Sequence, residues 1–162
     1  MTNQWLIAVD PGKRACGVCI HDSRSVVQAT LVEEPCGDPE ILAAQVLAVV
    51  KVSGAPLKGL AWRMERPRKY AHASDKHYDL ESLERVLDAL AKLARAAGGR
   101  VTFYYPSQWK GNVPKAVCQA RIRPTLSTNE IAAILDDHNV WDAVGICLVA
   151  RGRLARGLVA RR

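Results

Sequence analysis

Hydrophobic positions in the first third of the chain fall into three short runs rich in β-branched side chains. The runs cover residues 5–10, 15–21 and 26–32, and short polar links with proline, glycine, aspartate and serine separate them. Runs of this length with such short links predict three consecutive antiparallel strands. Similar apolar runs at residues 57–64 and 101–105 predict a fourth and a fifth strand.

Between and after the later strands, apolar residues recur every three or four positions, which is the spacing of a helix with one buried face. Pro39 suits the first turn of a predicted helix that runs to about residue 52. Residues 80–97 have the strongest amphipathic pattern, and Gly98 and Gly99 end it where a left-handed cap is favoured. Three further helices are predicted at residues 114–121, after the capping-box sequence beginning at Ser127, and from about residue 139 towards 154.

The predicted order of elements describes an α/β fold. A mixed five-stranded sheet, with three antiparallel strands and then crossover-linked ones, is flanked by helices. This is the connectivity of the ribonuclease H-like fold. The chain has 162 residues, of which 49% are hydrophobic and 24% charged, with no internal repeat and no low-complexity linker. Such a composition predicts a single globular domain that covers residues 1–162.

The N-terminal residues and the cysteines both bear on the compartment. The sequence begins without the basic region and long apolar core of a signal peptide, and no window approaches a membrane span. We therefore expect a cytoplasmic protein. Five cysteines in irregular positions fit reduced thiols there. Cys16 and Cys19 are three residues apart in a predicted strand, so their sulfurs should point to opposite faces and serve packing.

Positive charge is concentrated at the C-terminus. The chain has 23 basic and 16 acidic residues, a net charge of +7, and residues 151–162 contain five arginines and no acid. A basic tail of this kind attracts polyanions, nucleic acid first among them. The alternative is a solvated helix end whose arginines favour the negative pole of the helix dipole.

Three carboxylates are placed where a carboxylate needs a partner. Asp10 ends the first strand before Pro11 and Gly12, Glu65 closes the fourth strand, and Asp142 belongs to the last helix. Each has a structural alternative: an Asx turn at Asp10, a salt bridge from Glu65 to a cation among residues 66–69, and a first-turn acid beside an Asn139 cap at Asp142. One divalent site explains all three together, because Mg²⁺ prefers oxygen ligands and two such ions can bind both sides of a scissile phosphate.

The motifs around these acids resemble those of the RuvC Holliday-junction resolvases. The resemblance rests on Asp10-Pro11-Gly12 followed by Gly17-Val18, on Glu65 after the fourth strand, and on Trp141-Asp142-Ala143-Val144-Gly145 in the last helix. Residues 105–115, from Tyr105-Pro106 to Pro114-Lys115, are similar to the corresponding segment of phage-type RuvC-like proteins. The resemblance covers nearly the whole chain in order.

This resemblance implies a homodimeric, Mg²⁺-dependent endonuclease of DNA recombination and repair, with Mn²⁺ also supporting activity. Two active sites would nick opposing strands of a four-way DNA junction, in the host-cell cytoplasm if the protein is phage-encoded. The predicted helix at residues 80–97 is a candidate dimer interface, although packing on its own sheet would use the same apolar stripe.

Carried over residue by residue, the resemblance makes Asp10, Glu65 and Asp142 metal ligands and catalytic residues. The fourth ligand of the family, an acid or histidine, usually lies three residues before the last aspartate, where this chain has Asn139. We assign it to His138, which shares the same helical face. Glycines found in many cellular members in the helix after the glutamate strand are absent here.

Basic and aromatic residues near these acids are candidates for DNA contacts. Tyr70 follows a basic run and can stack on an unpaired base. The tryptophans, Trp109 included, are given no functional role. Phosphate contacts are expected from Lys13, Arg66, Arg68, Lys69, Lys110 and Lys115, each of which can instead be an ordinary solvated cation.

Other functions remain open. The segment from Asp10 to Gly17 also resembles the opening of YqgF-like RNA-processing enzymes, whose later motifs are not evident. A phosphotransferase of the actin and sugar-kinase type begins similarly but needs a second copy of the domain. A catalytically silent junction-binding module would use the basic tail alone. Preference for branched DNA over RNA, and cleavage that depends on a divalent ion, distinguish these functions.

Overall fold

The computed structural model describes residues 4–67, 77–111 and 113–154, with the backbone alone for residues 77–79 and 115. Five strands form one mixed sheet in the order β3-β2-β1-β4-β5. Strands β1, β2 and β3 are antiparallel neighbours, whereas β4 runs parallel to β1 and β5 parallel to β4. The predicted mixed sheet of three antiparallel strands followed by crossover-linked ones is confirmed. The strands are β1 Leu6–Pro11, β2 Ala15–His21, β3 Val26–Glu33, β4 Ala61–Glu65 and β5 Arg100–Tyr104.

Six helices are described, and side-chain caps begin several of them. Asp38 Oδ1 accepts a hydrogen bond from the Ile41 N–H at 2.9 Å at the start of α1. Ser127 and Glu130 form the predicted capping box at the start of α5. The helices are α1 Pro39–Val52, α2 His77–Ala96, α3 Pro106–Trp109, α4 Lys115–Ile122, α5 Thr128–Ala132 and α6 His138–Ala150. Among the described helices, none is long and apolar enough to cross a membrane.

Helices cover the sheet on both faces and bury two apolar layers. Helices α1 and α2 pack on one face, and α4 and α6 on the other. Cys16 belongs to the first layer and Cys19 to the second, which confirms that their sulfurs point to opposite faces. The apolar stripe of α2, which includes Val86, Leu87 and Leu90, is buried in the first layer. That stripe therefore packs on the protein's own core.

The largest differences from the predicted elements are at β4, α3 and α6. Strand β4 begins at Ala61, four residues later, because a turn precedes it: the Leu60 N–H donates to Leu57 O, and Gly59 has a φ of +77°. The short helix α3 was not predicted, because four residues carry no periodic pattern. Helix α6 begins at His138 and ends at Ala150, before the predicted end near residue 154.

The first two arginines of the basic tail hold the end of α6. Arg153 donates to both carboxylate oxygens of Glu130, at 2.5 and 3.0 Å, and to Thr125 O at 2.7 Å. Arg151 donates to Asp22 O at 2.9 Å and to Gln4 O. These two arginines are thus structural anchors. Arg156, Arg161 and Arg162 lie outside the described residues.

Candidate active site

The register of the sheet places Asp10 beside Glu65. Val9 of β1 pairs with Met64 of β4. Asp10 and Glu65 are the next residues along these two parallel strands, so they lie side by side near the strand ends. Neighbouring strands lie about 4.8 Å apart. Val9 and Met64 belong to the apolar layer under α1 and α2. Because side chains alternate along a strand, Asp10 and Glu65 face the opposite side, which α6 covers.

Helix α6 brings the third carboxylate to this face. Gly17, the partner of Asp10 across β1 and β2, allows the close approach, because a Cβ there would lie 2.0 Å from the backbone oxygen of Asn139. Asp142 is the fifth residue of α6 and is 4% exposed.

The capping residue of α6 is Asp137, whose Oδ1 accepts from the Asn139 N–H at 2.8 Å and the Val140 N–H at 3.4 Å. The interpretation of Asp142 as a first-turn acid beside an Asn139 cap is therefore wrong.

A lysine ammonium lies against two of the carboxylates. Lys110 Nζ is 2.6 Å from Asp142 Oδ2 and 3.5 Å from Glu65 Oε2. The side chain is 14% exposed, and the charge of Asp10 acts on it as well. Lys110, predicted to contact phosphate, is thus engaged within the acidic site. Glu65 has its salt bridge with this distant lysine, while Arg66, the cation directly after it, pairs with Glu84 at 3.1 Å.

Trp109, to which the sequence pattern gave no functional role, contacts one of the carboxylates. Its indole Nε1 donates to Glu65 Oε2 at 2.6 Å, and its side chain is fully buried. Gly145 of α6 makes room for the ring, because a Cβ there would lie 2.4 Å from Trp109 Cζ3. The available signal was a general one: a buried tryptophan needs an acceptor for its N–H. Nothing local identifies that acceptor as Glu65.

Burial and charge act in opposite directions on the protonation of this site. Burial raises the pKa of Glu65 above its ordinary value, although the Lys110 ammonium and the Trp109 N–H oppose the rise. For Lys110, burial lowers the pKa, but the carboxylates of Glu65 and Asp142 outweigh burial and raise it. Lys110 therefore carries a full positive charge at neutral pH.

The donor set suits a hard divalent cation. Glu65 and Asp142 already contact one cationic group, Asp10 lies at the same level of the sheet, and all three offer the carboxylate oxygens that Mg²⁺ and Mn²⁺ prefer. In the described part of the chain, no three acidic, histidine or cysteine side chains are yet placed to enclose a metal ion.

The remaining predicted metal ligand and the predicted DNA-contacting residues lie at separate positions. His138 begins α6 with its side chain 56% exposed and Nδ1 3.9 Å from Asp137 Oδ2, so its role as a ligand stays a prediction. Lys13 is exposed between β1 and β2. Arg66 pairs with Glu84 and lies over the Phe103 ring, 5.0 Å from its centroid.

Lys115 begins α4, and the structure describes only its backbone. Arg68, Lys69 and Tyr70 lie outside the described residues.

Solved structures share this architecture over almost the whole chain. Thermus thermophilus RuvC in complex with a Holliday junction substrate matches with a TM-score of 0.64 at 19% identity, covering 90% of this chain and 91% of that one. A second structure of T. thermophilus RuvC gives a TM-score of 0.63 at 18% identity, covering 94% and 99%. The chain has the fold of RuvC.

A eukaryotic protein shares the RuvC fold at lower similarity. The yeast mitochondrial Holliday junction resolvase Ydc2 matches with a TM-score of 0.54 at 10% identity, covering 93% of this chain and 82% of that one. No family model and no curated protein sequence matches the chain. The ribonuclease H-like fold predicted from the order of elements is confirmed by the RuvC structures.

Proposed function

We propose that the chain is a metal-dependent, structure-selective endonuclease that resolves four-way DNA junctions by paired phosphodiester hydrolysis. The observation that carries the proposal is that Asp10, Glu65 and Asp142 lie on one face of the sheet, with the last two in contact with the Lys110 ammonium. Support for the substrate class comes from the shared fold with T. thermophilus RuvC, which was solved in complex with a Holliday junction substrate.

In this proposal Asp10, Glu65 and Asp142 hold Mg²⁺, with His138 as the fourth ligand. A divalent ion held there would supply an activated water and neutralise charge at the scissile phosphate. The protein's own residues prepare the position. Trp109 fixes one oxygen of Glu65, while the cap at Asp137 fixes the first turn of α6.

Positive groups around the acids would guide the DNA backbone. Lys13 lies in the turn that follows Asp10, and the segment containing Arg68, Lys69 and Tyr70 follows Glu65. We propose phosphate contacts for Lys13, Arg68, Lys69 and Lys115, and stacking on an unpaired base for Tyr70. Arg66 already has Glu84 as a partner, so its main contribution is to anchor the start of this segment.

Paired cleavage of a four-way junction needs two active sites. We propose a symmetric homodimer, because two-fold symmetry gives each site an equivalent strand and is the commonest form of oligomer. Since Val86, Leu87 and Leu90 of α2 are buried in the protein's own core, an interface on α2 would use other residues of that helix.

A substrate panel tests the function directly. The protein is incubated with labelled four-way junction, linear duplex, single-stranded DNA and structured RNA, each with EDTA, Mg²⁺ or Mn²⁺. The proposal predicts cleavage of the junction alone, with either metal and not with EDTA. Cleavage of RNA in preference to the junction would favour a YqgF-like function. Junction binding without cleavage under every condition would favour a silent binding module.

A further inference from the structure

The position of Lys110 is fixed by the backbone on either side of it. The Lys110 and Gly111 N–H groups both donate to Pro106 O at 2.9 Å, and the Gln108 side chain accepts from the Tyr105 N–H at 2.8 Å. These bonds form a tight turn at the end of α3, and Gly111 takes the left-handed φ of +62° that the turn requires. The ammonium is therefore delivered to the carboxylates by a defined local structure.

The ammonium of Lys110 also lies against an aromatic ring. Its Nζ is 4.7 Å from the centroid of the Trp109 ring, and that ring is itself fully buried and bonded to Glu65. The same short helix thus places one donor on Glu65 and one cation between Glu65 and Asp142. Buried carboxylates repel one another. The charge of Lys110 and the hydrogen bond from Trp109 offset that repulsion.

A divalent ion and the ammonium compete for the same carboxylates. Asp142 Oδ2 and Glu65 Oε2 are the atoms that contact Lys110, and carboxylate oxygens are the preferred ligands of Mg²⁺. An ion bound there would lie within a few ångströms of the ammonium, where like charges repel strongly at low dielectric. The ammonium in its present position therefore opposes the binding of an ion at these carboxylates.

We propose that Lys110 is a built-in counter-ion that opposes metal binding in the free protein and is drawn off the carboxylates by a DNA phosphate. The proposal rests on the nuclease function proposed above and adds a regulation of the same site. A lysine suits this task because its stem is flexible and its ammonium binds a phosphate as readily as a carboxylate. Metal would thus load mainly when DNA is in place. Since coupling between two ligands is reciprocal, metal would also raise the affinity for DNA.

Metal binding without DNA tests the proposal. Free Mn²⁺ is followed by electron paramagnetic resonance during titration of the wild-type protein, Lys110→Met, Lys110→Arg and the control Lys58→Met, an exposed lysine away from the acids. We expect Lys110→Met to bind Mn²⁺ at least about tenfold more tightly than wild type. The other two variants should stay within about threefold of wild type. Equal or weaker binding by folded Lys110→Met would overturn the proposal.

A second measurement needs no substitution. Wild-type protein is treated with an amine-acetylating reagent, with and without Mg²⁺, and the modification of each lysine is measured by mass spectrometry. Lys58 serves as the internal reference. The proposal predicts that Mg²⁺ raises the acetylation rate of Lys110 several-fold relative to Lys58, because the displaced ammonium becomes accessible. An unchanged rate at a Mg²⁺ concentration that saturates the DNA-free protein would contradict it.

Mn²⁺ binding and junction cleavage, measured together, separate failure of the counter-ion role from failure of the nuclease function. If the wild-type protein cleaves junctions with Mg²⁺ while Lys110→Met binds Mn²⁺ no better, the nuclease function stands and the counter-ion role falls. If no variant binds Mn²⁺ and no junction is cleaved, the nuclease function itself falls, and the counter-ion role with it.

Discussion

At the scale of single residues, the candidate site is a balance of buried charges. Asp10 and Asp142 are 9% and 4% exposed. Burying a carboxylate without a partner costs several kcal/mol, and removing one partner of a buried pair is strongly destabilising. Lys110 supplies the compensating charge and Trp109 a hydrogen bond. An arrangement of acids that is costly for folding and held by dedicated partners is typical of a functional site.

Alanine substitutions at two neighbouring residues of α6 identify the fourth metal ligand. His138 and Asn139 precede Asp142 by four and three residues, and both positions share its helical face. We predict that His138→Ala lowers the rate of Mg²⁺-dependent junction cleavage by about tenfold or more, since an imidazole can bind metal or move a proton. Asn139→Ala should stay within a few-fold of wild type. Rates are measured at saturating Mg²⁺, with circular dichroism as the folding control. Loss of activity in Asn139→Ala alone would refute the assignment.

At the scale of elements, the contact between α6 and β2 depends on a missing side chain. An added Cβ at Gly17 would collide with backbone, which cannot move aside as a flexible side chain does. We predict that Gly17→Ala lowers the free energy of unfolding by at least ~2 kcal/mol and reduces cleavage, because α6 must shift away from Asp10.

The matched control is Gly54→Ala, which has open space around the added Cβ and a φ of +81°. It should cost only the ~1 kcal/mol of a left-handed alanine and leave cleavage unchanged. Urea unfolding measures both variants. Equal losses of stability would show that the close approach of α6 to β2 is unimportant.

The pair of Glu130 and Arg153 ties α5 to the segment after α6 and makes stability depend on pH. Hydrogen bonds from Arg153, then from backbone N–H groups, hold the pKa of Glu130 at about 2, below its ordinary 4.5, against the opposing effect of burial. The stabilisation is therefore complete above pH 4.5 and is lost as the pH falls towards 2. A shift of this size corresponds to on the order of 3 kcal/mol.

Glu130→Gln isolates this contribution. The variant should be less stable than wild type at pH 7, and the difference should shrink as the pH is lowered from 4.5 to about 2. Urea unfolding at a series of pH values measures it. Glu81→Gln, which removes an exposed pair with Arg85, is the control and should follow wild type throughout. A difference between Glu130→Gln and wild type that is independent of pH would contradict the assigned pKa.

Elements with a regular pattern could be predicted, whereas contacts between distant segments could not. The three antiparallel strands follow from apolar runs and short links, and α2 follows from its stripe and from Gly98, whose φ is +82°. Helix α3 has too few residues for a periodicity. The bond from Trp109 to Glu65 joins residues 44 positions apart, and Lys110 meets Asp142 only after α6 has packed on β2. The three acids were found because each ends or interrupts an apolar element.

At the scale of the whole molecule, the basic tail bears on the proposed DNA binding and the oligomeric state on the proposed paired cleavage. Deleting residues 156–162 removes Arg156, Arg161 and Arg162 and leaves the anchors Arg151 and Arg153 in place. We predict weaker binding to all nucleic acids, with a salt dependence flattened by up to about three units, because each phosphate contact contributes about one. An unchanged salt slope would exclude the tail from binding.

Sedimentation of the full-length protein should give twice the 17.7 kDa mass of one chain. Two sites on one junction require two chains, so a dimer is the state in which paired cleavage is possible. A monomer at micromolar concentration, with and without junction DNA, would contradict paired cleavage by this protein.

Cleavage of a supercoiled plasmid that extrudes a cruciform tests the central claim most directly, because two opposed nicks linearise the plasmid whereas one nick only relaxes it. We predict linear product with wild-type protein and Mg²⁺, and none with EDTA. Asp142→Asn should give none while it binds four-way junctions within a few-fold of wild type, since removing a ligand charge affects metal more than phosphate contacts. Asp10→Asn and Glu65→Gln should behave in the same way. Relaxed circles without linear product, or a wild-type rate in Asp142→Asn, would contradict the account.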